Sequence, residues 1–151
     1  MKQIETDIAI IGAGTAGLAA AVAAAEKGSK VIIFEKAATT GGTGSMGMGP
    51  LAVESRLQKI KQIGLTREQA FRVFMDYTHW RVDARLVSNY INKSADTIAW
   101  LEKMGVEFLE PEAYFPGSNF TWHTVKSAAG RRGGQAAATM MKFLTERANE
   151  V

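Results

Sequence analysis

Cysteine is absent from this sequence of 151 residues, and charge of one sign is nowhere concentrated. Without cysteine the chain has no disulfide scaffold, no thiolate-bound zinc or iron–sulfur cluster and no thiol nucleophile. The formal net charge is only +3, and the longest basic run is Arg131–Arg132. Because nucleic-acid binding usually requires a basic patch or stripe, we expect no nucleic-acid partner.

The chain also lacks the compositional bias of disordered or fibrous proteins. Its residues are 46% hydrophobic and 22% charged, which is ordinary for a globular protein. A chain of this length usually forms one domain and can bury roughly 68–70% of its unfolded surface. The composition therefore predicts a folded domain with a real core.

One uncharged run, Ile8–Ala25, resembles a signal peptide or a membrane span in length. Glu5 and Asp7 precede it, whereas a signal peptide begins with a positive segment. Alanine and glycine dominate the run, so its transfer into lipid is only weakly favourable. We expect no export signal, no membrane span and a cytoplasmic location.

The first third of the sequence has the pattern of a β-α-β unit. Thr6–Ile11 and Lys30–Glu35 are short apolar runs typical of parallel strands buried on both faces. Between them, Gly14–Lys27 is rich in alanine and stops at Gly28, a suitable residue for a helix end. The predicted fold class is α/β, with a Rossmann-like βαβ unit, a parallel sheet and a partly helical second half.

The rest of the chain is predicted to be mostly helical after a glycine-rich loop at Ala37–Pro50, which should contain no regular element. Thr66 begins a capping-box pattern, and Asp83 can cap a longer helix that ends near Met104 before Gly105. The apolar face of that longer helix is predicted to be Leu86, Val87, Tyr90, Ile91, Ile98 and Leu101. Three further segments are predicted after this helix: a short strand at Val106–Leu109, an irregular aromatic segment at 110–132 and a helix at 134–150.

A dinucleotide-binding fingerprint lies at the turn of the β-α-β unit. Gly12, Gly14 and Gly17 have the G-x-G-x-x-G spacing directly after a predicted strand, and Glu35 ends the second strand. Such glycines allow a tight turn, close approach of a pyrophosphate and close helix–strand packing. The helix start attracts the phosphate charge, and the carboxylate can accept hydrogen bonds from an adenosine ribose.

The nature of the dinucleotide depends on the glycine-rich loop that follows Glu35. A loop at Gly41–Gly49 can run along the larger second half of FAD, whereas an NAD-binding unit more often continues into another helix and strand. FAD is therefore favoured. An NAD-dependent dehydrogenase domain and a non-catalytic nucleotide-binding fragment remain open as alternatives.

Four segments resemble the flavoprotein family of fumarate reductases and succinate dehydrogenases. They are GAGTAG with Glu35–Lys36, the GGTGSMGMG loop, WLEKMGVEF at 100–108, and Gly133–Gly134 with the helix through Phe143–Leu144. The resemblance implies that residues 1–151 form the N-terminal portion of an FAD-binding domain, with a βαβ core at about 4–50 and a helical segment at about 52–105. It also implies the cofactor contacts Gly12, Ala13, Gly14, Thr15, Ala16, Gly17, Glu35, Lys36, Gly42, Thr43, Ser45, Met46, Gly47 and Gly49.

The resemblance further implies hydride transfer between flavin N5 and an activated carbon–carbon bond. Membrane-bound relatives hold FAD through a histidine in the glycine-rich loop; this loop has none, so noncovalent FAD is expected. Relatives are much longer, so we expect a fragment whose sheet exposes a hydrophobic edge. A partner chain or a missing C-terminal region would complete the site and supply the groups for a small substrate, such as a carboxylate or an enone.

Outside these motifs, the sequence identifies no catalytic residue and no metal ligand. His123 is expected to be a packing or surface residue rather than a catalytic one. Arg131–Arg132 could contact phosphate but are better explained as solvated. Met46 and Met48 are candidates for packing on the flavin ring, whereas Met140 and Met141 are expected in the core.

Overall fold

The computed structural model describes residues 3–128 and 135–151, which form two compact units. The first unit comprises Met1–Met48 and Lys126–Val151, and the second comprises Gly49–Val125. The first contains β1 (Ile8–Ile11), α1 (Thr15–Ala25), β2 (Val31–Phe34), a 3₁₀ helix (Gly42–Met46) and α5 (Ala137–Glu150). The second contains α2 (Arg56–Ile60), α3 (Arg67–Tyr77), α4 (Ala84–Lys103), β3 (Glu112–Ala113) and β4 (Phe120–Trp122).

The first unit contains the predicted β-α-β arrangement. β1 and β2 pair in parallel, in a register that runs from Ile8 opposite Val31 to Ile11 opposite Phe34. α1 packs against β2 and against α5. The buried side chains of the two helices are Leu18, Ala21 and Val22 from α1 and Ala137, Met140, Met141 and Leu144 from α5. This confirms the expected core positions of Met140 and Met141.

The strands are less buried than the sequence predicts. Ile8, Ile11 and Phe34 are 38%, 84% and 51% exposed, although both runs were expected to be buried on both faces. Within the described residues the sheet of this unit has only two strands, so much of its apolar surface has no covering layer. The prediction that both strands are buried on both faces is therefore wrong for these residues.

Helix starts in the second unit follow local capping chemistry. The Thr66 hydroxyl accepts a hydrogen bond from the Gln69 backbone N–H, and the Gln69 side-chain oxygen accepts one from the Thr66 backbone N–H. The predicted capping box is therefore confirmed. The Asp83 carboxylate accepts from the backbone N–H groups of Arg85 and Leu86, as expected for the start of α4. α3 and α4 share a hydrophobic core, whose buried residues are Val53, Ala70, Met75, Val87 and Ile91.

Part of the predicted apolar face of α4 is wrong. Val87, Ile91, Ile98 and Leu101 are buried, but Leu86 and Tyr90 are 69% and 45% exposed. Leu86 and Tyr90 are four residues apart and therefore share a stripe beside the buried one. Periodicity identifies both stripes as apolar but does not show which one the neighbouring elements cover.

Two predictions for the segment after α4 are also wrong. Val106–Leu109 is not a strand; Phe108 forms only an isolated antiparallel bridge with Val125. Segment 110–132 is not wholly irregular, because β3 and β4 pair antiparallel within it. The intervening turn contains Gly117 at φ 83°, and its proline and glycine obscure the strand pattern in the sequence.

The last helix begins later than expected. α5 starts at Ala137 rather than at Gly134, and Ala138 on its predicted inner side is exposed. The predictions for Arg131–Arg132 and Gly133–Gly134 fall outside the described residues. Among the described residues, none of the helices is both long enough and apolar enough to cross a membrane.

Candidate dinucleotide-binding site

The turn from β1 leads into the start of α1, which no side chain caps. The Gly12 N–H donates to the Phe34 carbonyl at 2.7 Å, which joins the turn to the end of β2. α1 then begins with Gly14 as its N-cap; no side chain caps it, and its first turn carries no acidic residue. The first-turn N–H groups of a helix lack intrahelical partners, so this terminus suits an anionic group.

The three fingerprint glycines are glycine for different reasons. A Cβ on Gly17 would lie 1.9 Å from the Gly12 carbonyl oxygen, so close helix–strand packing requires glycine there. Gly12 adopts φ +93°, which disfavours other residues. Gly14 has φ −79°, and a Cβ there would meet nothing within 4 Å. The fold therefore explains Gly12 and Gly17 but leaves open space beside Gly14.

Glu35 is fixed to the same turn by both carboxylate oxygens. Oε1 accepts from the Ala37 N–H at 2.8 Å, and Oε2 accepts from the Ala13 N–H at 2.7 Å. These backbone donors, Ala37 first and then Ala13, lower the pKa of Glu35 below its ordinary value and favour the carboxylate. The sequence pattern did not predict that Glu35 binds the turn itself. The Ala13 N–H is thus already used within the protein.

The glycine-rich loop lies directly beside this turn. The Gly41 N–H donates to the Ala13 carbonyl at 2.7 Å, and Gly14 and Gly41 form a parallel bridge. The prediction that the loop contains no regular element is wrong, because Gly42–Met46 forms the 3₁₀ helix. Short 3₁₀ helices are common as connectors, and here Gly42 takes φ +49°. Gly42, Thr43, Met46 and Gly47 are exposed.

Helix α5 supports the loop from inside the first unit. The Ala137 N–H donates to the Gly47 carbonyl at 3.0 Å, and the Met141 sulfur lies 3.5 Å from the Thr15 hydroxyl. A Cβ on Gly44 would lie 2.0 Å from that hydroxyl and 3.1 Å from the sulfur. The Thr15 hydroxyl is thus turned to Met141. No pattern in the sequence signalled this contact.

The structure places most of the predicted cofactor residues in the first unit. Those located there are Gly12, Ala13, Gly14, Thr15, Ala16, Gly17, Glu35, Lys36, Gly42, Thr43, Ser45, Met46 and Gly47. Gly49 belongs to the second unit. A Cβ on Gly49 would lie 2.0 Å from the His123 carbonyl oxygen, so packing alone accounts for this glycine.

His123 is a fully buried residue of the second unit, at 0% exposure. Its Nδ1 lies 2.9 Å from the Thr121 carbonyl, and its Nε2 lies 2.7 Å from the Ser55 hydroxyl. A carbonyl can only accept, so Nδ1 carries the proton and Nε2 accepts from Ser55 in the neutral ring. The expectation that His123 is a packing residue is confirmed.

The burial of His123 leads to a pH prediction. Burial lowers the pKa of His123, and the Thr121 carbonyl and the Glu102 charge, itself paired with Arg56, oppose this shift only in part. The unfolded chain, with a histidine pKa of about 6.5, therefore takes up the proton first as the pH falls. The contribution of His123 to stability should be complete above about pH 7 and should decline as the pH falls below about 6.5 towards the folded-state pKa.

The titration can be followed by NMR in the His79→Asn variant, which retains one histidine. Asparagine suits the left-handed backbone of position 79, at φ 52°. We expect the remaining imidazole resonance to titrate with a midpoint below the free-histidine value. A midpoint at or above that value would contradict the neutral, buried assignment.

Comparison with known proteins agrees with this geometry. The profile of the FAD binding domain family matches residues 7–150. The chain is 38% identical to a vinyl phenol reductase of Lactiplantibacillus plantarum over 125 residues, covering 83% of this chain and 25% of that protein. It is 33% identical to an NADH:fumarate oxidoreductase of Klebsiella pneumoniae over 101 residues, covering 66% of this chain and 11% of that protein. The chain belongs to the FAD binding domain family.

A solved structure supports the same fold. The open conformation of a flavocytochrome c3 fumarate reductase superposes with a TM-score of 0.81 at 26% identity, covering 96% of this chain and 25% of that one. The α/β flavoprotein fold and FAD as the cofactor, both expected from the sequence, are thus confirmed. The chain spans a quarter or less of the length of these relatives.

Proposed function

We propose that this chain is the FAD-binding portion of an oxidoreductase of the fumarate reductase and succinate dehydrogenase type. Residues Gly12–Gly17 would contact the pyrophosphate, mainly through the backbone N–H groups at the start of α1. Glu35 and Lys36 would lie at the adenosine ribose. The residues proposed to lie along the ribitol and flavin are Gly42, Thr43, Ser45, Met46, Gly47 and Gly49.

The observation that carries this proposal is the open space at Gly14. Neither the backbone conformation nor packing requires glycine at Gly14, yet it lies at the uncapped helix start and beside Gly41. An approaching pyrophosphate supplies the missing reason, because a Cβ would occupy the space of the phosphate oxygens. Gly47 gives similar support: a Cβ there would make only ordinary contacts, at 3.6 Å from the Gly44 carbonyl oxygen and 3.8 Å from the Ala137 Cβ.

The reaction is proposed from the relatives rather than from a catalytic group in this chain. Bound FAD would supply hydride transfer between its N5 and an activated carbon–carbon bond of a small carboxylate or enone. This chain's own residues would hold the cofactor: the helix terminus attracts its phosphates, and the ionised Glu35 favours a free ribose over a phosphorylated one. The substrate-side acid and base are assigned to no described residue.

A titration with FAD, followed by flavin fluorescence, tests the proposal. We expect the wild-type chain to bind FAD and Gly14→Ala to bind it at least about tenfold more weakly, with an unchanged unfolding midpoint. Gly64→Ala is the matched control, because its Cβ would also meet nothing within 4 Å, far from the turn in sequence.

Two further measurements separate the alternatives. Flavin that is released into the supernatant on denaturation would support noncovalent binding. A chain that binds NAD but not FAD, or a Gly14→Ala variant with wild-type FAD affinity, would contradict the proposal. The NAD-dependent dehydrogenase is thereby tested in the same experiment.

A further inference from the structure

Met141 on α5 contacts two separate parts of the candidate site, and all three elements belong to the first unit. Its sulfur lies 3.5 Å from the hydroxyl of Thr15, in the first turn of α1. The same sulfur would lie 3.1 Å from a Cβ on Gly44, in the 3₁₀ helix of the glycine-rich loop. Met141 is 2% exposed, so its side chain lies inside the unit against both the helix start and the loop.

The packing around Gly44 leaves no room for a larger residue. A Cβ there would lie 2.0 Å from the Thr15 hydroxyl oxygen as well as 3.1 Å from the Met141 sulfur. Gly44 does not adopt the left-handed φ that would by itself favour glycine. The glycine at position 44 is therefore explained by the close approach of α1, the 3₁₀ helix and α5.

Hydrogen bonds hold the loop to α5 on both sides of the 3₁₀ helix. After it, the Ala137 N–H donates to the Gly47 carbonyl at 3.0 Å. Before it, the Thr40 hydroxyl lies 2.8 Å from the Thr145 hydroxyl, which itself donates to the Met141 carbonyl at 2.8 Å. Thr145 has one hydroxyl proton, so Thr40 is the donor in their shared bond. Met141 lies between these two attachments and also contacts α1.

In the proposed function, a single FAD molecule spans the two elements that Met141 contacts. Its pyrophosphate would contact the start of α1, and its ribitol and flavin would contact the loop. The two halves of FAD are covalently joined, so they strengthen each other's binding only when the two elements lie at a matching distance. A change in that distance weakens the binding of the whole cofactor more than the binding of one half.

We propose that Met141 is a positioning residue for FAD, which sets the distance between the phosphate-binding helix start and the glycine-rich loop. This inference rests on the proposed function and goes beyond the core role expected for Met141. Because its side chain is buried, Met141 acts through Thr15 and Gly44 rather than by contact with the ligand.

Comparison of FAD with ADP separates positioning from general support of the fold. ADP carries the pyrophosphate and the adenosine ribose but lacks the flavin half, so its binding does not depend on the distance to the loop. Met141→Ala leaves a cavity into which the loop or Thr15 can move. By calorimetric titration, we expect this variant to bind FAD about tenfold more weakly and ADP within about twofold of the wild type.

Met140→Ala is the matched control, because it removes the same atoms from the adjacent position of α5, which is 6% exposed. Among the described residues, the three atoms nearest to a Cβ at Gly41 or at Gly44 include none of Met140. Urea unfolding should show a loss of stability in both alanine variants. In Met140→Ala, however, the ratio of the FAD and ADP dissociation constants should stay within about twofold of the wild type.

Two further variants keep the core of α5 filled. In Met141→Leu a δ carbon takes the place of the sulfur, so most of the FAD affinity should be retained. Gly44→Ala changes the same distance from the loop side, because its Cβ would conflict with both Thr15 and Met141. It should weaken FAD binding about tenfold and leave ADP binding within about twofold. Should Met141→Ala fail to fold, Gly44→Ala decides the question.

The outcomes that overturn the positioning role differ from those that contradict the proposed function. If Met141→Ala or Gly44→Ala weakens FAD and ADP binding equally, Met141 supports the phosphate turn and sets no distance. If neither affinity changes, the distance does not depend on Met141. A wild-type chain that binds FAD no more tightly than ADP contradicts the proposed loop contacts. A wild-type chain that binds neither ligand contradicts the proposed function as a whole, and the positioning role with it.

Discussion

Replacement of Gly17 by alanine should destabilise the protein by about 2–3 kcal/mol and abolish measurable FAD binding. The added Cβ would lie 1.9 Å from the Gly12 carbonyl oxygen and 3.3 Å from a side-chain methyl of Ile10. The first of these atoms belongs to the backbone, so it cannot yield by a change of rotamer. Either α1 moves away from β1 or the phosphate turn changes its path.

Urea unfolding and FAD titration of the same variant measure both effects. Gly14→Ala is the sharpest comparison, because it adds the same methyl group at the start of the same helix without a packing conflict. We expect Gly17→Ala to lose stability and binding together, and Gly14→Ala to lose binding alone. A Gly17→Ala variant as stable as the wild type would show that α1 is not held against β1 at the distance described here.

Local signals in the sequence predict most of the helices. α3 and α4 begin where Thr66 and Asp83 were expected to cap them, because a cap depends on residues within one helical turn. The pattern Ser55–Gln58 is the same kind of signal and could have located α2. Exposure of Leu86 and the β3–β4 pairing were missed because both depend on residues distant in the sequence.

In the candidate site, too, the sequence predicts the features that depend on neighbouring residues and misses those that depend on distant ones. The spacing of Gly12, Gly14 and Gly17 predicts a phosphate-binding turn, since each glycine acts within one strand-to-helix connection. The spacing does not reveal which glycines the fold itself requires. That distinction depends on distances to other elements, such as Met141 beside Gly44 and His123 beside Gly49. The glycine-rich loop is thus a mixture of packing positions and positions left open to a ligand.

The second large effect is expected for Gly49→Ala, which should lower the free energy of unfolding by about 3 kcal/mol. A Cβ at this position would lie 2.0 Å from the His123 carbonyl oxygen and 3.1 Å from the Val125 backbone nitrogen. Gly49 also adopts φ +154°, which other residues rarely adopt. The substitution therefore forces apart the two segments that the Ser55–His123 bond holds together.

Urea unfolding gives the loss of stability, and hydrogen exchange at the Ala52 amide shows whether pairing with Thr121 is lost. Gly47→Ala is the matched control, because it lies in the same loop and its Cβ would make only ordinary contacts. We expect Gly47→Ala to retain its stability and to weaken FAD binding. If Gly49→Ala unfolds at the same urea concentration as the wild type, the backbone at His123 can move aside at little cost in stability. The glycine at position 49 must then be explained by the cofactor rather than by packing.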